Sequence, residues 1–184
     1  MNLSKKLETE VEIEGTIYPV NTAFDNIINI LDLLKNRRLN DVQKVHIGLQ
    51  LFLGETLTME TEKMMKLFEV LIQTFIYEEE HKRLPEDLEG NLMPVIEKAP
   101  TYDLKHDGGY IYTSFRQAYQ LNLFELQGKL DWREFKQLLQ DLPEDTKFKQ
   151  VIDIRTRPYP KGKHASEERK QLKDLKRQFA LPSP

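Results

Sequence analysis

Four histidines, His46, His81, His106 and His164, are the side chains of this 184-residue chain best suited to moving protons or ligating metal near neutral pH. Two stand three residues after a carboxylate, Glu78 before His81 and Asp103 before His106, which is half of the motif that di-iron sites in helical bundles use. Such a site needs long facing helices and further inward carboxylates, whereas both pairs lie in or beside a proline-broken stretch. They read as solvated charges. Ser4, Ser114, Ser166 and Ser183 lack the Gly-x-Ser-x-Gly elbow that would activate a hydroxyl, and Gly108-Gly109 has neither the preceding strand nor the lysine of a phosphate loop. The absence of cysteine excludes disulfides, cysteine-ligated zinc or iron–sulfur groups and a thiol nucleophile, and it fits a reducing compartment. The expectation is a non-enzymatic protein with no catalytic residue, no metal and no cofactor.

With chemistry set aside, the elements must explain the chain. Hydrophobic residues make up 39% and charged residues 31%, so surface is large relative to core, as in an open helical protein or one with tails. The formal charge of -3 predicts no whole-molecule attraction to nucleic acid or anionic lipid. The start, Met1 to Glu14, is charged throughout and does not read as a secretory signal, and no stretch is apolar enough for a membrane span.

Residues 7 to 20 alternate like strands around Val11, Ile13 and Ile17, with Glu14-Gly15 as the turn of a small hairpin. From Thr22 the period becomes helical: Phe24, Ile27, Ile28, Leu31 and Leu34 share a stripe, and Thr22 with Asp25 resembles a capping box. A second helix opens at Asn40 or Asp41, carries Val42, Val45, Leu49 and Phe52, and stops at Gly54. A third, from Thr61 to Tyr77, is apolar over more than half its circumference through Met64, Met65, Leu67, Phe68, Leu71, Ile72, Phe75 and Ile76. Such a helix is either central or covered on its second side by another subunit.

Residues 78 to 107 carry nine acidic and four basic residues with Pro85, Pro94 and Pro100, a composition that predicts an extended linker. Helices resume at Asp107, with Ile111, Phe115 and Tyr119 in step, then a short one from Asn122. Asp131 with Glu134 forms a capping-box pattern before Trp132, Phe135, Leu139 and Leu142, and Pro143 is suited to the first turn of a last core helix with Phe148, Val151 and Ile152. The final stretch, 155 to 184, holds nine Lys or Arg against three Asp or Glu, a net of +6 that leaves -9 on the rest. It predicts a marginal helix, ordered mainly on contact with a partner, presenting Arg169, Lys170, Lys173, Lys176 and Arg177.

The run from Asp107 to Arg155, with its Tyr110-Ile111-Tyr112, Ala118-Tyr119, Trp132, LPEDTKF at 142–148 and IDIRT at 152–156, resembles the bacteriophage gene-product-fifteen family, encoded among siphovirus tail genes. The stretch Glu14 to Phe24, EGTIYPVNTAF, is similar to that family's opening hairpin and first helix. Two departures stand out: Asp131-Trp132-Arg133 replaces the family's His-Trp-Trp, and Gln120 takes a position often held by glycine. The resemblance implies a tail assembly chaperone of the host cytoplasm, absent from the mature particle, that self-associates and holds the tape measure protein until tail tube protein displaces it. The alternatives in other classes are a minor tail or connector subunit of the virion and a nucleic-acid-binding regulator acting through the basic tail.

The expected architecture is therefore mainly α: a hairpin plus three helices over 1–83, an acidic proline-containing linker over 84–106, a helical segment over 107–157 and a basic helix or tail over 158–184. Met64, Phe68, Leu71 and Phe75 are the expected partner-binding surface, against ordinary core as the competing reading.

Overall fold

The structure, a computed structural model, describes residues 3–77, 100–161 and 165–182. The chain is mainly α: β1 (Glu10–Ile13), β2 (Thr16–Pro19), α1 (Phe24–Lys35), α2 (Asp41–Leu53), α3 (Thr61–Leu71) with a π-helical continuation (Ile72–Tyr77), α4 (Gly108–Tyr119), α5 (Trp132–Gln140), α6 (Lys147–Thr156) and α7 (Ser166–Gln178). Residues 84–99 of the expected linker, the Glu78–His81 pair, Lys163, His164 and Ser183 lie outside the described residues. Two compact units cut across the expected boundaries: Met1–Val95 with Leu126–Gln137, and Ile96–Glu125 with Leu138–Pro184.

In the first unit, β1 and β2 pair antiparallel with Glu10 opposite Pro19 and Glu12 opposite Ile17. Glu14 and Gly15 both have positive φ, 50° and 81°, as a two-residue hairpin turn of the right twist requires. Helix α2 begins with a complete capping box, in which the Asn40 side chain accepts from the Gln43 N–H and the Gln43 side chain accepts from the Asn40 N–H, and it ends at Gly54 with φ 73°. Both ends follow the sequence. The start of α1 does not: its cap is Ala23 without a side-chain bond, because Thr22 and Asp25 are engaged elsewhere. Thr22 Oγ1 donates to Asp131 at 2.6 Å and the Gly128 N–H donates to Asp25 at 2.9 Å.

Those bonds hold residues 128–132 against the start of α1, extended by Phe24 N–H to Leu130 O at 3.0 Å and Trp132 N–H to Thr22 O at 2.8 Å. The α5 side chains then enter the core. Phe24 and Phe135 stack with centroids 4.8 Å apart, Trp132 stacks on Phe135 at 5.7 Å, and the indole N–H donates to Ile76 O at 3.2 Å. Ile27, Ile30 and Leu33 are the buried stripe of α1 with Phe24, so the stripe sits one step round from the expected Ile28, Leu31 and Leu34, which are half-buried. Asn26 is buried but satisfied, donating to the carbonyls of Asn21 and Leu51.

In the second unit, Ser114 of α4 accepts from the Phe148 N–H at 3.0 Å, joining α4 to the start of α6. Tyr119 donates to Leu138 O at 3.0 Å, and burial first, then the nearby Asp141 charge, pushes its phenol above the ordinary range. The expected short helix after Asn122 is a run of turns, in which Asn122 Oδ1 accepts from the Phe124 N–H at 3.2 Å and Asn122 Nδ2 donates to Glu125. Helix α6 starts at Lys147, not at Pro143; Thr146, fully buried, returns both its N–H and its hydroxyl to Pro143 O and closes a turn there. Gln120 ends α4 with φ 57°, the left-handed conformation that glycine adopts without a Cβ penalty, which accounts for glycine suiting this position.

Replacing Gln120 with glycine is expected to raise stability by about 0.5–1 kcal/mol, the relief of the left-handed strain less the added freedom of the unfolded chain. Urea denaturation would measure it, and a loss of stability would show that the strain is not there. At Gly48 of α2 any Cβ would overlap the Phe68 ring, so Gly48→Ala is expected to cost about 1–3 kcal/mol and Phe68→Asp to unfold the first unit. Wild-type melting of either variant would contradict this packing.

Candidate protein-interaction surfaces

Helix α3 decides the first surface. Met64, Phe68, Leu71 and Phe75, expected to bind a partner, are all buried, with Phe68 5% exposed, and they form the core of the first unit. The physical reason is the missing side chain at Gly48, which lets α2 approach until the Phe68 ring fills the space and meets Phe52 edge-on at 6.2 Å. These four residues are therefore corrected to core. Arg133 stands over the Phe75 ring at 5.9 Å, closing that end.

The opposite face of the same helix is the one that solvent reaches. Met65 is 38%, Val70 54% and Tyr77 53% exposed, interspersed with Glu62, Lys66 and Glu69. Lys66 and Glu62 pair at 2.8 Å one turn apart on this face, an exposed pair of small energetic weight. The apolar character of Met65 was visible in the sequence; that it and Val70 would be outward was not, because the choice of buried side depends on Gly48 in another helix. Met65 and Val70 lie five residues apart, about 140° round the helix, at the two edges of this charged side.

A buried charge cluster braces the first unit. The Arg133 guanidinium donates to both oxygens of Asp131, at 2.9 and 2.8 Å, and to Glu8 O at 2.8 Å, while the Arg133 N–H also donates to the carboxylate. Burial pushes the Asp131 carboxyl up, but the bonds from Arg133 and Thr22 outweigh it and hold the carboxyl below the usual range. The Asp-Trp-Arg sequence that departs from the family pattern thus supplies its own ion pair. A shallow cleft of about 390 Å³ beside it is lined by Leu7, Thr9, Val20 and Thr22 among others, with Thr22 and Asp131 bonded to each other.

In the second unit the organising group is Arg155. It grips the wholly buried Asp107 through two bonds of 2.6 and 2.8 Å, and donates to Thr101 O at 3.0 Å and Phe179 O at 2.6 Å. Lys176 donates to Arg155 O at 3.0 Å and lies over the Tyr159 ring, while Phe179 meets Tyr110 edge-on and sits under Lys147. Two expectations are corrected by this cluster. Residues 100–107 are built into the unit rather than lying in a linker, with Tyr102 against Phe148 at 5.4 Å, and α7 is a 13-residue helix packed on α6 through Leu172, not a tail awaiting a partner. Nothing in local sequence reveals that Arg155 pairs with a residue 48 positions away.

The basic tail residues consequently divide. Arg155 is internal, Arg157 pairs with Asp153 one turn back, and Arg169 donates to Pro160 O. Lys170, Lys173 and Arg177 are exposed on the side of α7 opposite Leu172, Arg177 in an ion pair with Asp174 at 3.5 Å. Asp103 of the second histidine pair turns its carboxylate onto the N–H groups of Lys105 and His106, and among the described residues no three metal-ligating side chains converge. Among the same residues no helix is long and apolar enough to cross a membrane.

The family model described as Bacteriophage Gp15 protein matches residues 3–181. The chain belongs to that family. It is a bacteriophage protein, and membership suggests a structural or assembly-related role. No curated protein and no solved structure matches it.

Removing the Asp107 charge while Arg155 stays buried is expected to be costly. Asp107→Asn should destabilise the second unit by about 3–5 kcal/mol, read as an early unfolding transition or as faster hydrogen exchange across α4, α6 and α7. A change below about 1 kcal/mol would mean that the pair does not organise the unit.

Proposed function

We propose that this chain is a non-enzymatic tail assembly chaperone that holds the phage tape measure protein in the host cytoplasm before the tail tube forms, and that it is absent from the finished particle. Family membership over 3–181 supports the setting. The observation that carries the reading is that Met65 and Val70 of α3 and Tyr77 of its π-helical continuation stay accessible on an element whose inward side is fully used in the core.

A tape measure protein is long and helical, and before assembly its apolar stripes need cover. Exposed apolar side chains on a helix backed by a packed core supply such cover at little ordering cost, since the helix already exists before binding. Methionine at the edge of the face adapts to imprecise partners. Displacement by tail tube protein as it polymerises would release the cargo.

The test is co-expression with the tape measure protein of the same tail gene cluster, followed by affinity capture. Wild type is expected to retain the tape measure protein, and the double variant Met65→Asp with Val70→Asp to lose it at least tenfold while melting as wild type does. A double variant that still captures would move the surface off α3. A wild-type chain indifferent to the tape measure protein and present in purified particles would replace the chaperone reading with that of a virion subunit.

A further inference from the structure

Two exposed faces among the described residues, one in each unit, are opposite in charge. The first is the outer face of the hairpin. Because Glu10 is opposite Pro19 and Glu12 opposite Ile17, these four side chains share one side of the two-stranded sheet. All four are exposed, Ile17 by 64%, with the exposed Glu8 ahead of the strand and Glu14 in the turn beyond it. Glu14 is joined to Lys63 at 3.0 Å, which leaves Glu8, Glu10 and Glu12 as the acidic edge of an apolar strip. The other side of the sheet, with Val11, Ile13 and Tyr18, is half-buried.

The second face is the outer ridge of α7. Lys170, Lys173 and Arg177 are spaced three and four residues apart and so fall on one side of the helix, opposite the buried Leu172, with Asp174 among them and joined to Arg177 at 3.5 Å, a net of +2 on the ridge. Their Cα atoms cover about 10 Å of helix axis, and Glu10 and Glu12 of β1, with Glu8 just ahead of the strand, span a comparable length, so Lys170 and Lys173, with Arg177 shared with Asp174, can meet the hairpin carboxylates. The charge division along the sequence has the same sense, with +6 carried by residues 155–184 and -9 by the remainder.

We propose that the basic ridge of α7 docks on the outer face of the β1–β2 hairpin of a second copy of this chain, making a head-to-tail contact between copies. The contact is built of exposed charges around Ile17 and Pro19, so it is weak, concentration-dependent and screened by salt, with a Debye length of about 10 Å at 0.1 M. Its two halves are different surfaces of one chain, which permits chains of more than two copies. It does not use α3 and does not depend on the tape measure reading.

Sedimentation velocity of the full-length protein over a hundredfold range of concentration tests it. At low salt the sedimentation coefficient is expected to rise with concentration, and in 0.5 M salt that rise should disappear. The variants Glu10→Lys with Glu12→Lys, and Lys173→Glu with Arg177→Glu, alter only exposed side chains; each alone should sediment as a monomer, while an equimolar mixture of the two should associate again. Circular dichroism melting of each variant confirms folding. A wild-type chain that stays monomeric at low salt, a reversed variant that still associates as wild type, or a mixture of folded variants that does not would overturn the proposal.

Discussion

The first unit depends on one non-local closure. Residues 128–135 return after a long excursion to complete a core begun at Val20, and the closure is made of a few directional bonds around aromatic stacking: Thr22 to Asp131, Trp132 to both Thr22 O and Ile76 O, Phe135 on Phe24. Without Trp132 and Phe135, Phe24 would lose its stacking partner and the carbonyl of Ile76 would lose its indole donor. Lys136 reaches the same carbonyl at 3.0 Å, so the end of the π-helical turn is fixed twice. The outward display of Met65 and Val70 follows from this, since the inward side of α3 and its continuation is wholly taken by the core.

The second unit uses a different device for the same end. Its helices are short and mostly half-buried, and a single guanidinium joins the segment before α4, the end of α6 and the end of α7. A buried ion pair of this kind contributes specificity of arrangement more than stability, because desolvation offsets most of its attraction. Arg155 is planar and five-handed, which lysine is not, and that geometry is what lets it serve a carboxylate and two carbonyls together.

Much of the fold was legible because it is local. The hairpin turn at Glu14-Gly15, the Asn40–Gln43 box and the stop at Gly54 rest on residues within four positions of one another. The misreadings share a cause in the opposite sense. Thr22 and Asp25 have the spacing of a cap but are claimed by Asp131 and Gly128, more than a hundred residues away. Pro143 suits a helix start, yet the buried Thr146 closes a turn first. The acid- and proline-rich composition around residue 100 reads as linker until Arg155 is seen holding Asp107. The expected partner-binding residues are core for the same reason: α3 is apolar over more than half its circumference, and the close approach of α2 at Gly48 fixes which part is covered.

A core that is complete, with exposed apolar side chains left over on a helix already formed, is the central physical claim, and its proposed consequence is protection of a helical client. The most direct measurement is the soluble fraction of the tape measure protein expressed with and without this chain, at matched levels. The account predicts that the tape measure protein is largely insoluble alone and recovered in soluble form, in a defined complex, when the chain is present. Equal solubility in the two cultures, with no complex eluting, would contradict it.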